Sequence, residues 1–249
     1  MISMVTDVLT SAARRLVHLG RAAVGREVFS RRDVRLPTQK FGNAEGAGGW
    51  VLYPMALNDS AVVYSAGVGT DISFEVALAE HFNLTIHTFD PTPTSERWLR
   101  QQHIPPQITH HSIALAEFDG MLTLHPPANP DHVSFSQIPH AGTQDEPVTV
   151  PARRLSSILD DLGHTRLDVL KIDIEGSEYG VVSDILASGL AIDQLLVEFH
   201  HRFDTVPITA TRDAVRSLRH AGFALYHVSP RGEEYSFIHT RCLDRITAA

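Results

Sequence analysis

The chain has 249 residues, 43% hydrophobic and 20% charged, which suits one globular domain with an appendage and excludes a disordered or low-complexity protein. Its lone cysteine, Cys242, excludes a disulfide scaffold and any multi-cysteine metal site, and fits a reducing cytoplasm. Residues 1–40 hold eight Arg and Lys against three acids, a net of +5, so the remainder carries −13 of the total −8, and so acidic a body argues against a nucleic-acid partner.

Residues 4–24 place Val5, Val8, Leu9, Ala12, Leu16 and Leu19 at spacings of three and four, with Arg14, Arg15, His18 and Arg21 elsewhere. This predicts an amphipathic helix packed on the main domain or on a second copy in a homodimer, with a membrane-surface helix as the rival reading. Neither a signal peptide nor a stable membrane anchor is expected, because there is no long apolar run. Residues 25–50 lack periodicity and close on Gly46, Gly48, Gly49 and Trp50, a connector. The chain thus divides into an N-terminal helix and connector over 1–45 and a main domain over 46–249. From residue 60 strands alternate with helices: strand 61–65, helix 71–81, strand 85–89, helix 95–102, strand 108–113. An insertion over 122–150, with five prolines and with His125, His132 and His140, reads as a lid or substrate loop. Its Phe135 joins Trp50 and Tyr53 as side chains suited to stacking on a sugar ring. Strands follow at 168–174 and 195–199, with helices at 178–188 and 209–221. The last two strands, 224–228 and 235–240, are joined by a loop at Ser229 to Gly232 too short for a helical crossover, so the final strand is antiparallel. The expected fold is α/β: a seven-stranded, mostly parallel sheet with a reversed edge strand, flanked by helices, the Rossmann-like architecture of class I methyltransferases.

Three motifs carry chemistry. From Val62 to Asp71 an apolar strand runs through a glycine turn into a helix; Gly67 and Gly69 let a ligand approach the backbone. Asp90 ends the next strand 21 residues after Gly69, near the spacing at which an acid reaches a ribose diol. A third glycine of the dinucleotide fingerprint would fall at Ile72. Its branched side chain disfavours NAD, and hence an oxidoreductase, and fits a ligand with an amino-acid tail such as S-adenosylmethionine. The second motif, Leu170 to Glu178, puts charge into an apolar strand, with Lys171 and Asp173 on one face and Asp173 near the C-terminal edge where ligands bind. Asp173 then lies either beside the reacting group or in a structural pair in which Lys171 meets Asp173 or Glu175. In the third, Glu198 and His200 project to one side of a strand end and converge with Asp173 if the two strands are neighbours. That is a base or metal constellation, or a salt-bridged strand end.

As a set these segments resemble the FkbM-type family of S-adenosylmethionine-dependent methyltransferases. The family's glycine turn, FDPTP segment, LKID-x-EG-x-E strand-turn and late EFH stand here as Val63–Phe74, Phe89–Pro93, Leu170–Glu178 and Glu198–His200, with Gly48-Gly49-Trp50 upstream. The likeness covers about residues 48–240 and departs at Ala66, where an aromatic is common, and at Thr70, often acidic. It implies methyl transfer from S-adenosylmethionine to a hydroxyl of a small-molecule acceptor, a sugar first and a non-sugar secondary metabolite second. It further implies Ser65, Ala66, Gly67, Gly69 and Asp71 at the methionine portion, Asp90 at the ribose, and Ser112, Ile113 and Ala114 at the adenine edge. Asp173 or His200 is the candidate base, and Asp173, Glu198 and His200 are the candidate ligands of a Mg²⁺ or Mn²⁺ that would lower the acceptor's pKa. The alternative is a nucleoside-ligand-binding protein that kept the pocket and lost catalysis.

Overall fold

The computed structural model describes residues 16–22, 24–25, 27–43, 48–127, 135–137 and 146–247. Its elements run β1 (Gln39–Phe41), β2 (Trp50–Leu52), β3 (Val62–Ala66), α1 (Ser73–Phe82), β4 (Thr85–Phe89), α2 (Pro93–Leu99), β5 (Ile108–His111), β6 (Ala114–Leu115), β7 (Gly120–Leu124), β8 (Val148–Arg153), α3 (Leu155–Leu162), β9 (Arg166–Ile172), α4 (Glu178–Ser188), β10 (Ala191–Glu198), α5 (Ile208–His220), β11 (Phe223–Val228), β12 (Glu234–His239) and α6 (Thr240–Thr247). Seven strands form the main sheet in the order β11-β12-β10-β9-β3-β4-β5, while β1-β2 and β6-β8-β7 form small sheets of their own. The parallel strands are mostly apolar, as Leu195, Leu196 and Val197 illustrate, because helices or loops cover both faces. One face packs on α3, α4 and α5 through Tyr64, Phe89, Leu170 and Ile172; the other packs on α1, Trp50 and Leu52 through Val63, Ile86 and Val169.

This is the mixed, mostly parallel sheet expected, with one correction of place. The reversed strand β12 is not at the edge but pairs antiparallel with β10 on one side and β11 on the other. The short loop fixes the hairpin but not which arm joins the sheet. Burial decides that: Tyr235, Ser236, Phe237 and Ile238 are all buried, so both flanks of β12 are covered. The outer edge strand is β11, and the N-terminal segment lies along it. The amides of Asp33 and Val34 both donate to the Leu225 carbonyl, and the Leu225 amide donates to the Asp33 carboxylate at 2.9 Å.

Of the readings of the N-terminal helix, packing of its apolar side on the main domain is corrected by the described residues. Residues 16–22 are helical, but Leu16 (70% exposed) and Leu19 (39%) face outward while His18 is buried. The cause is Glu27, a fully buried carboxylate that gathers His201, Arg202 and Arg21 and draws His18 to 4.0 Å, so the polar side of the helix turns inward. Val5, Val8, Leu9, Ala12, Arg14 and Arg15 lie outside the described residues, as does Gly46 of the connector. The connector itself contributes β1 and leads into β2, which pair antiparallel. The insertion over 122–150 begins and ends in paired strands, β7 and β8. Its residues 128–134 and 138–145, with His132 and His140, lie outside the described residues. Between them Ser136 exchanges backbone hydrogen bonds with His125 and its hydroxyl donates to the Glu175 carbonyl at 2.7 Å, which brings this segment to the site.

Candidate active site

β3 and β9 are neighbours in register, Ala66 opposite Ile172, so the residues that follow them meet. The Asp173 amide donates to the Ala66 carbonyl at 3.0 Å, and Gly67 packs its Cα on Asp173. Gly67 has φ +77°, and a Cβ there would stand 1.6 Å from the Asp173 carbonyl oxygen, so the position tolerates only glycine. The contact lies where the strand order turns away from β3-β4-β5 toward β9-β10, the switch point at which open α/β sheets bind ligands. A cavity of about 230 Å³ opens there. The glycine turn with Asp71, the Asp90–Thr92 segment, Ala114, Leu115 and the Asp173–Glu175 turn line it, and Trp50, Leu122, Leu124 and Phe135 supply apolar wall. Tyr53 is not among these; its backbone is held on both sides by the Gln194 amide at 3.0 Å.

Five of the expected cofactor residues, Gly67, Gly69, Asp71, Asp90 and Ala114, line the cavity. Ser65 and Ala66 are buried beneath it, the Ser65 hydroxyl donating to Glu75 at 2.5 Å. Ser112 and Ile113 are not part of the lining; Ser112 is exposed and donates to Glu96. The strand they were assigned to ends at His111, and Leu115 takes the place beside Ala114. Asp90 is not a free acid. Its Oδ2 accepts from the amides of Val68 (3.1 Å) and Gly69 (2.9 Å) and lies 2.8 Å from the Ser95 hydroxyl, and its Oδ1 accepts from the Thr92 amide (2.9 Å) and hydroxyl (2.7 Å). A carboxylate offers about four lone-pair positions, so a ribose hydroxyl is received only by sharing them. Asp90 clasps the glycine turn to the start of α2.

Lys171 pairs with neither Asp173 nor Glu175 in any described ion pair. Its ammonium donates to the Gly67 carbonyl at 2.5 Å and lies 5.4 Å from the centre of the Trp50 ring. Below it Glu75 is fully buried, and desolvation raises its carboxyl pKa against the pull of Lys171. The turn therefore rests on a buried polar network rather than on an apolar floor.

On the other side of Asp173 the acids converge on His200. Its Nε2 lies 3.8 Å from Asp173 and 3.3 Å from Glu175, and its Nδ1 lies 3.2 Å from Glu178. Glu178 is buried at the start of α4 and accepts from the His200 amide at 2.7 Å and the Gly176 amide at 2.8 Å, which fixes the ring. Ligand atoms of Asp173, Glu175 and His200 lie within 4.8 Å of one another, a set able to hold a metal ion. Glu175, not Glu198, is the third member. Strand alternation placed Glu198 beside His200, but β10 ends at Glu198, and the alternation does not extend past it. Burial and the Asp173 charge push the Glu198 carboxyl up to about 9 despite the pull of His200. For His200, burial opposes the charged ring, but Glu178, Glu175 and Asp173 outweigh it and raise the pKa to about 10. The ring thus sits against three acids, and Asp173 faces the cavity.

Residues 60–225 match the methyltransferase FkbM domain. The chain belongs to the FkbM methyltransferase family. It is 28% identical over 181 residues to the human "Probable methyltransferase-like protein 24" and 27% identical over 176 residues to the rat protein of that name. These matches cover 68% and 66% of this chain but 43% and 42% of the relatives, so the chain spans less than half the length of either. Among solved structures it is similar to the Methanococcus jannaschii fibrillarin pre-rRNA processing protein, with TM-score 0.44 and 9% identity over 73% of this chain and 67% of that one. It is also similar to Aeropyrum pernix fibrillarin in complex with S-adenosyl-L-methionine, with TM-score 0.39 and 11% identity over 73% and 66%.

In this member of the FkbM methyltransferase family the residue that sequence reasoning missed is Glu175. It adopts φ +53°, rare for a side chain larger than asparagine, and the Glu175-Gly176 pair directly after a strand was the available sign of so tight a turn.

Proposed function

We propose that this protein transfers the methyl group of S-adenosylmethionine to a hydroxyl of a saccharide. The observation that carries the reading is that one cavity joins the glycine turn to the carboxylate of Asp173 and to an aromatic wall of Trp50 and Phe135. Bound S-adenosylmethionine supplies an electrophilic methyl on a sulfonium. The turn from Gly67 to Asp71, held by Asp90, orients the amino-acid tail, and Ala114 with Leu115 flanks the nucleoside. A sugar hydroxyl is a weak nucleophile, so Asp173 takes its proton as the new O–C bond forms and the S–C bond breaks, leaving S-adenosylhomocysteine and a methyl ether. Asp173, Glu175 and His200 would hold a Mg²⁺ or Mn²⁺, which would displace the His200 proton and lower the pKa of an acceptor hydroxyl. Glu178 would then be the outer carboxylate that orients the imidazole.

Calorimetric titration with S-adenosylhomocysteine, then with Mg²⁺ and Mn²⁺, followed by an acceptor panel that begins with sugars, tests this. Micromolar binding of S-adenosylhomocysteine, and metal binding lost in Glu175→Gln, are expected. Absence of S-adenosylhomocysteine binding sinks the whole reading. Turnover on non-sugar hydroxyls alone replaces the saccharide, and turnover that persists in EDTA removes the metal.

A further inference from the structure

Several apolar side chains near the N-terminus are left uncovered by the other described residues. Leu16, Val17, Leu19, Val24 and Phe29 are all exposed, while beyond this segment the exposed large apolar side chains among the described residues are only Met55 and Met121. Beside this face lies a groove of about 490 Å³ whose lining includes Arg31, Arg32 and Arg35. No described carboxylate forms an ion pair with any of the three. The acid in the groove, Asp33, is already engaged by Arg219 at 2.9 Å and by the Leu225 amide. His227 lies in the same groove, where burial lowers its pKa to about 4 and the charges of Arg32 and Lys40 act in the same direction.

Uncovered apolar side chains near unneutralised arginines, with Leu19 and Phe29 lining the arginine groove itself, match the chemistry of a lipid interface: acyl chains take the apolar side chains, and headgroup phosphates take the guanidinium groups. A second copy of the chain fits less well. Pairing this face with itself sets arginines against arginines, and elsewhere the only exposed large apolar side chains among the described residues are Met55 and Met121. No described helix is long and apolar enough to cross a membrane, so the contact is one of docking, not of spanning. We propose that residues 16–35 dock this protein reversibly on an anionic lipid surface. The charge of −13 beyond residue 40 repels the same surface and so sets the orientation.

The test is co-sedimentation of the full chain with vesicles of pure phosphatidylcholine and of an equimolar mixture of phosphatidylcholine and phosphatidylglycerol, with light scattering on the protein alone. Binding is expected to the anionic vesicles only and to weaken with salt. Replacing Arg31, Arg32 and Arg35 together by serine should lower the partition coefficient on the order of 100-fold, about 1 kcal/mol per charge. The double variant Leu16→Asp, Leu19→Asp should also fail to sediment while its circular dichroism stays that of the wild type. Equal sedimentation with both vesicle types, or with neither, overturns the proposal. So does a dimer in solution that the leucine variant dissociates, since that would identify a second copy as the occupant.

Discussion

At Asp173 and Asp90 single atoms separate roles that look alike in a sequence. Asp173→Asn keeps the shape of the turn and removes the proton acceptor, so turnover should fall about 10²–10⁴-fold while calorimetric affinity for S-adenosylhomocysteine holds. Retained turnover would place the base elsewhere. Asp90→Asn puts an NH₂ against donors that now point at a carboxylate oxygen. It should lower both ligand affinity and unfolding free energy, the latter by about 1–3 kcal/mol in urea titration, because Asp90 holds the turn together. An acid that only binds ribose would lose affinity and leave stability alone. Gly67→Ala has no relaxed position for its methyl against the Asp173 carbonyl, and should cost at least about 2 kcal/mol together with binding. These residues were legible from spacing, because glycine turns and strand-end acids recur at fixed offsets. Glu175 and the saturation of Asp90 were not, since both depend on the conformations of turns that no hydrophobic period encodes.

Among the elements, most buried parallel strands could be read to within a residue or two from their apolar runs, though β10 begins four residues before the expected 195, at Ala191, and β4 and α4 match the expected bounds, 85–89 and 178–188. The strands β7 and β8 were hidden in a proline-bearing insertion, and β8 itself contains Pro151. The parallel pair β4 and β5 carries a feature with a pH consequence. His87 and His111 are hydrogen bonded at 2.9 Å, and His87 is 5.4 Å from His164, which is bonded to the Tyr64 hydroxyl at 2.7 Å. Burial, with the charges of His111 and His164 adding to it, lowers the pKa of His87 to about 4, and burial also lowers His110 and His111. The folded protein prefers these rings neutral while the unfolded chain takes protons near 6.5. Stability is therefore present at neutral pH and lost as the pH falls from about 6.5 toward 4. The melting temperature followed by circular dichroism should drop between pH 7 and pH 5, and His87→Leu should recover part of the drop. A flat profile in the wild type would refute this.

For the molecule as a whole, composition and strand rhythm settled the architecture, while the packing of the N-terminal segment escaped because a buried ion cluster around Glu27 outweighed the apolar stripe. Gln194 shows how the outer layers are joined to the sheet: its amide spans the backbone of Tyr53, and its carbonyl also accepts from the Tyr226 hydroxyl at 3.0 Å. Gln194→Leu removes the side-chain partners of the buried Tyr53 amide and carbonyl and should cost about 2 kcal/mol in denaturant titration, with activity per folded molecule unchanged. The cover on β11 matters in a different way, during synthesis. Asp33 closes the sheet edge by bonding to Leu225, 192 residues later in the chain. At ribosomal rates of 5–20 residues per second the N-terminal segment waits roughly 10–40 s for its partner strand. Throughout that interval its apolar side chains and arginines are available to whatever lies near the ribosome, and the sheet acquires a protected edge only once the last hairpin has emerged.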